Sequence, residues 1–205
     1  MARDSVTIVV IVLILLLVGV GVYVLASDPE TAVEDNYQYS NGYTTFDVQK
    51  VSDTLTHITL LVGDDEVPIS LTLRNDPRSL EDIPVSGTFN TRIFNDELVY
   101  VTFNPRANLT GKGTIAIMEI SDILGHDYLY DLPVYAAITE PYGGYAYPIK
   151  TCADATDTET VIWVTLGSET TVYTENNCIV VVGTSEDELI RSADRFVLTL
   201  LGIMQ

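Results

Sequence analysis

Basic residues are scarce in this chain. Only 10 Lys and Arg stand against 29 Asp and Glu, a formal charge of -19 over 205 residues. So acidic a chain has too little to neutralise a phosphate backbone, which excludes a nucleic-acid binder. The same shortage argues against docking on an anionic lipid surface, which needs basic clusters. Histidine and cysteine number two each, too few for an ordinary zinc centre or a histidine-based active site. No Gly-x-Ser-x-Gly, HExxH or P-loop occurs, and no serine or cysteine nucleophile stands beside an evident partner. Enzyme activity is therefore unsupported, and no cofactor is implied. The one catalytic route left open is a pair of carboxylates brought together by folding. Apolar residues, by contrast, are plentiful. At 47% of the chain they exclude an acidic disordered polymer.

Much of that apolar content is at the start. Val6 to Ala26 is a run of 21 residues without a charge. As a helix it spans roughly 31 Å, the thickness of a bilayer core, at about 1.5 Å per residue. Lipid forces the backbone to bond within the segment, so the helix prevails over the β-branched composition. Tyr23 suits the headgroup zone. Gly19 and Gly21 are two apart and make no GxxxG face. Arg3 precedes the run; Asp28, Glu30, Glu34 and Asp35 follow it. This asymmetry puts the N-terminus in the cytoplasm and the rest outside the cell. Three readings of the segment stand: an uncleaved signal anchor, a cleaved signal ending at Val24-Leu25-Ala26, or a pilin-like helix after the short leader Ala2-Arg3-Asp4-Ser5. Its length exceeds a signal-peptide core and favours the anchor.

The expected organisation is a single-pass transmembrane anchor over 1–27, a polar linker over 28–45 and an extracytoplasmic domain over 46–205. In the domain, Thr56, Ile58, Leu60 and Val62 alternate, as do Val67, Ile69, Leu71 and Leu73, around a turn at Gly63-Asp64-Asp65-Glu66. That pattern predicts a hairpin with one buried face. A strand is expected from Leu98 to Phe103 and a buried one from Leu132 to Thr139. A helix is expected from Gly113 to Leu124, closed by a left-handed Gly125. Three further strands are expected over 160–166, 170–173 and 179–182. Ser185 and Glu188 form a capping box before a wide apolar stripe through Leu189, Ala193, Phe196 and Leu200. Arg191 and Arg195 are assigned to its exposed face. The fold class is α+β: a mixed sheet with two packed helices.

Several residues carry candidate chemistry. Cys152 and Cys178 are expected to form a disulfide in an exported domain. Asn108-Leu109-Thr110 is a sequon, so Asn108 is a glycosylation candidate, with helix capping by Thr110 as the alternative. Asp154, Asp157 and Glu159 carry the oxygen ligands calcium takes, but their spacing fits a solvated acidic loop better, and no metal is assigned. Tyr142, Tyr145 and Tyr147 are the best candidate interaction surface, against a glycine-permitted loop folded over the sheet.

The segments Thr151-Cys152-Ala153-Asp154, Val161-Ile162-Trp163, Asn177-Cys178-Ile179-Val180-Val181-Val182-Gly183 and Ala193-Asp194-Arg195-Phe196, with Leu200-Leu201-Gly202-Ile203-Met204, carry a likeness over residues 150–205. This region resembles the uncharacterised single-pass membrane-anchored surface proteins of small-genome (DPANN-type) archaea. The resemblance implies an archaeal cell-surface setting and transfers no functional residue. The expected role is structural or interactive: an acidic domain held in the cell membrane by residues 6–26 and meeting other envelope proteins. A type IV pilin-like filament subunit and a ligand-binding or hydrolytic ectodomain are the alternatives.

Overall fold

The computed structural model describes residues 35–107, 109–144 and 146–205. The Val6–Ala26 run lies outside them. Among the described residues no helix is long and apolar enough to cross a membrane.

Asp35–Gln205 is one compact unit. It opens with an antiparallel meander of four strands: β1 (Asp35–Ser40), β2 (Thr45–Ser52), β3 (Leu55–Val62) and β4 (Val67–Leu73). The expected alternation holds from Thr56 to Leu60 in β3 and from Ile69 to Leu73 in β4, whereas Val67 beside the turn is exposed. Ile58 lies opposite Leu71 and Leu60 opposite Ile69, all buried, and such cross-strand apolar pairs fix the register. Residues 35–45 correct the expected linker, because 35–40 form β1 and 41–44 the turn into β2. Tyr37 and Tyr39 alternate with polar residues and pack against the core, and the Tyr37 hydroxyl donates to Asp76 at 2.8 Å. Asn41 Oδ1 closes the turn by accepting the N–H groups of Tyr43 and Thr44.

The second sheet is mixed and six-stranded, in the order β5-β9-β10-β8-β6-β7. Its strands are β5 (Val85–Ser86), β6 (Leu98–Phe103), β7 (Val134–Ile138), β8 (Glu159–Leu166), β9 (Thr171–Glu175) and β10 (Cys178–Gly183). β10, β8, β6 and β7 run parallel, and β9 is antiparallel to β10. β10 is buried at every residue, as a central parallel strand covered on both faces must be. β7 is an edge strand with Tyr135 and Ala136 exposed, not the fully buried strand its composition suggested.

Three α-helices are present among the described residues: α1 (Phe89–Ile93), α2 (Gly111–Leu124) and α3 (Glu186–Leu200). One apolar cluster joins Ile58 and Leu71 of the meander, Ile120 and Phe196 of the helices, and Ile162 and Ile179 of the mixed sheet. The expected single sheet with two helices is therefore two sheets sharing a helical layer. Burial of α3 on nearly every side follows, and it includes Arg195, which is 6% exposed and not on a solvent face. Arg195 is accommodated because its guanidinium donates to the carbonyls of Ile83 and Gln205. Gly125 ends α2 with φ -88, so the expected left-handed cap is absent. Gly202 does take φ +70 at the end of α3.

Candidate functional site

The expected disulfide is present. Cys178 opens β10, Cys152 lies in a 3-10 turn over Cys152–Asp154, and their Cα atoms are 5.0 Å apart. The turn is locked by Asp154, whose carboxylate accepts both the N–H and the hydroxyl of Thr151 at 2.8 Å. Those bonds hold the Asp154 pKa below its ordinary value. The bridge ties the segment before β8 to the outer face of the mixed sheet, against Val161, Val180, Tyr100 and Trp163. It fits an extracellular or otherwise oxidising environment.

The calcium candidates do not converge. Asp154 serves Thr151, Asp157 accepts from Asn177 at 3.2 Å, and Glu159 pairs with Lys150 at 3.3 Å. Among the described residues no group of three or more His, Cys, Asp or Glu could hold a metal ion. Tyr142 and Tyr147 are 44% and 52% exposed, and Arg106 lies over the Tyr142 ring at 5.7 Å. Asn108 and Tyr145 lie outside the described residues.

In parallel α/β sheets, ligands bind beyond the carboxyl ends of the strands, near helix N-termini. Here the chain's own Glu186 is bound at one of these termini. From the first turn of α3 its carboxylate accepts the N–H and hydroxyl of Thr110 at 3.0 Å and the N–H of Gly113 at 2.6 Å, at the start of α2.

An opening with several apolar walls is elsewhere. A slot of about 600 Å³ lies between the β2 and β3 strands and the segment around Tyr128–Tyr130 with the end of α3. Phe46, Leu60, Leu129 and Leu201 line it, and Phe94 and Tyr128 stand at it 73% and 64% exposed. Its wall is braced by the Tyr130 hydroxyl, which donates to the Leu200 carbonyl at 2.8 Å, and by the Phe94–Tyr130 ring contact at 5.6 Å. Burial pushes the Tyr130 hydroxyl up to about 12. Among the described residues Asp47 is the only charged one in the lining. Asp64, Asp65 and Glu66 follow the lining residue Gly63 in sequence, and Asp127 and Asp131 flank Tyr128–Tyr130.

A buried pair of carboxyl groups joins the two long helices. Asp194 of α3 is fully buried, and its Oδ2 accepts the backbone and side-chain N–H of Asn75 at 2.8 and 2.9 Å. Its carboxyl meets that of Glu119 of α2, whose Oε1 lies 3.5 Å from Arg74. Burial, reinforced by the Asp194 charge, raises Glu119 to about 10 against the pull of Arg74. Burial also raises Asp194 to about 6, while bonds from Glu119 and Asn75 oppose the shift.

Sequence reading missed both features. The slot is assembled from five separated segments. The carboxyl pair did leave a trace: Glu119 lies beside Ala116, Ile120 and Ile123 on the apolar side of α2, and Asp194 interrupts the stripe of α3. A charge inside an apolar stripe signals a buried partner.

Comparison with protein-family models, with curated proteins and with solved structures finds no match.

Proposed function

We propose that this chain is a membrane-anchored, disulfide-stapled acidic domain with an interaction role in the cell envelope. In this reading residues 6–26 hold it in the bilayer, and the archaeal surface setting is the one implied by the resemblance over 150–205. The observation that carries the interaction role is the slot beside Phe94 and Tyr128. Large exposed aromatics around a concave apolar site are the usual anchor points of an interface.

The chemistry selects the occupant. An apolar opening with Asp47 in its wall, on a chain of net charge -19, favours an apolar segment carrying Lys or Arg at its margins. A second copy would bring the same negative charge. The chain's own Val6–Ala26 run is followed by acidic residues, not basic ones. β2 and β3 are both interior strands of the meander, so strand addition has no free edge there. The fitting mode is an amphipathic helix laid into a groove.

The test uses the full chain in nanodiscs of neutral lipid and a fluorescent amphipathic Leu/Lys peptide, read by anisotropy. The Leu/Lys peptide is expected to bind, and a Ser/Lys peptide of equal charge is not. The Phe94→Ser, Tyr128→Ser double variant, which leaves the charge unchanged, is expected to weaken binding by at least about tenfold. Absence of binding, or binding indifferent to the double variant, overturns the proposal. So does a dimer in sedimentation that the double variant dissolves, because it assigns the slot to a second copy.

A further inference from the structure

We infer that Glu119 and Asp194 hold one proton between them and form a pH-set latch closing α2 onto α3 in the centre of the domain. Glu119 Oε2 and Asp194 Oδ1 are both buried, and neither receives a hydrogen bond from any donor of the surrounding protein. The remaining oxygen of Asp194 already receives two N–H bonds from Asn75. The remaining oxygen of Glu119 faces Arg74. Two carboxylates left facing each other without a donor repel strongly at low dielectric, and a single proton turns the contact into a short charge-assisted hydrogen bond.

The proton belongs on Glu119, because Asn75 favours the ionised form of Asp194 through two donors. The charged groups acting on the pair are Arg74 from the end of β4 and Asp122 from α2 itself. One cation against two carboxylates and a nearby third leaves the proton as the balancing charge. Asp194 and Glu119 are both raised above their ordinary values of 3.8 and 4.5. The folded domain therefore binds more protons than the unfolded chain above those values, and stability falls as pH rises. The decline begins above the ordinary carboxylate range and continues until the pair has lost its shared proton.

Two measurements on the full chain test this. Infrared difference spectra at neutral pH should contain the C=O stretch of a buried protonated carboxylic acid, and Glu119→Gln should remove it. Thermal melts from pH 6 to 10 should fall for the wild type and be much flatter for Glu119→Gln, whose amide supplies the same donor without titrating. The difference in slope should be on the order of tenfold in the folding constant per pH unit where only the folded state holds the proton. An absent acid band in the wild type overturns the latch even if the variant does not fold. Identical pH profiles overturn it as well.

Discussion

Glu186 and Gly113 are 73 positions apart in sequence, yet the carboxylate of the first accepts the N–H of the second at 2.6 Å. α3 thus supplies from its own first turn the anion that the N-terminus of α2 favours. Gly113 suits the contact because a Cβ there would come within 3.3 Å of the Glu186 carboxylate and 3.0 Å of Leu109. The bonds from Thr110 and Gly113 hold the Glu186 pKa below its ordinary value. A lowered pKa adds stability that is present above the unfolded value and lost as pH falls through the folded one. Glu186→Gln should therefore lower the melting temperature at neutral pH and leave it nearly unchanged at strongly acid pH. A drop of equal size at both would mean that packing, not charge, makes the contact.

Phe196 is the centre of the helical layer. It is fully buried and meets the Phe89 ring edge-on at 5.5 Å and 82°. Phe196→Ala should cost about 3–5 kcal/mol in chemical denaturation. Arg191 also matters, against the expectation of a neutral exposed face, since it donates to Glu188, to Asp82 and to the Ser79 carbonyl. Its replacement by Ala should cost about 1 kcal/mol, the scale of a partly exposed charged network. Equal effects at the two positions would contradict the layering.

Legibility in sequence followed the physics of periodicity. Ile58, Leu60, Ile69 and Leu71 announce a half-buried hairpin because period two survives without tertiary knowledge. The stripe of α3 announces a helix for the same reason. β1 was illegible because its inward residues, Tyr37 and Tyr39, alternate with Asn36, Gln38 and Ser40 in a stretch that composition marks as linker. The strands of the mixed sheet were legible, but their separation from the meander as a second sheet was not, because α3 conceals its other buried face: Arg195 reads as surface, and it and Asp194 are sheltered by partners distant in sequence, the Ile83 carbonyl and Asn75. The disulfide was legible through compartment logic, whereas the slot and the carboxyl pair exist only after folding.

The Cys152–Cys178 bridge closes a loop with a sequence separation of 26. By the chain-entropy model it contributes roughly 3.5 kcal/mol through the unfolded state. The Cys152→Ser, Cys178→Ser double variant should lose about that much, as should the wild type in reductant. Reductant should leave the double variant unchanged. A wild type whose melting ignores reductant would show that the bridge does not constrain the unfolded chain.

Salt should stabilise this domain. Every Lys and Arg among the described residues is already committed: Lys50 to Asp76, Arg74 to Glu119, Arg92 to Asp96, Arg106 to Glu140, Lys112 to Asp187, Lys150 to Glu159 and Arg191 to Asp82. Arg78 lies 3.7 Å over the Tyr37 ring, and Arg195 is spent on backbone carbonyls. No Lys or Arg of the described residues pairs with Asp53, Asp64, Asp65 or Glu66 in the turns of the meander, so the surplus of negative charge repels itself across the surface. Two effects of salt oppose each other. Screening weakens exposed pairs such as Lys112–Asp187, each worth about 0–1 kcal/mol. It also relieves the repulsion of a chain at -19, which acts over longer range and among many more groups. Relief should win, because the Debye length shrinks from about 10 Å at 0.1 M to about 3 Å at 1 M. The melting temperature at pH 7 should rise across that range of sodium chloride, most steeply at the low end. A flat or falling curve would mean that the ion pairs outweigh the net charge.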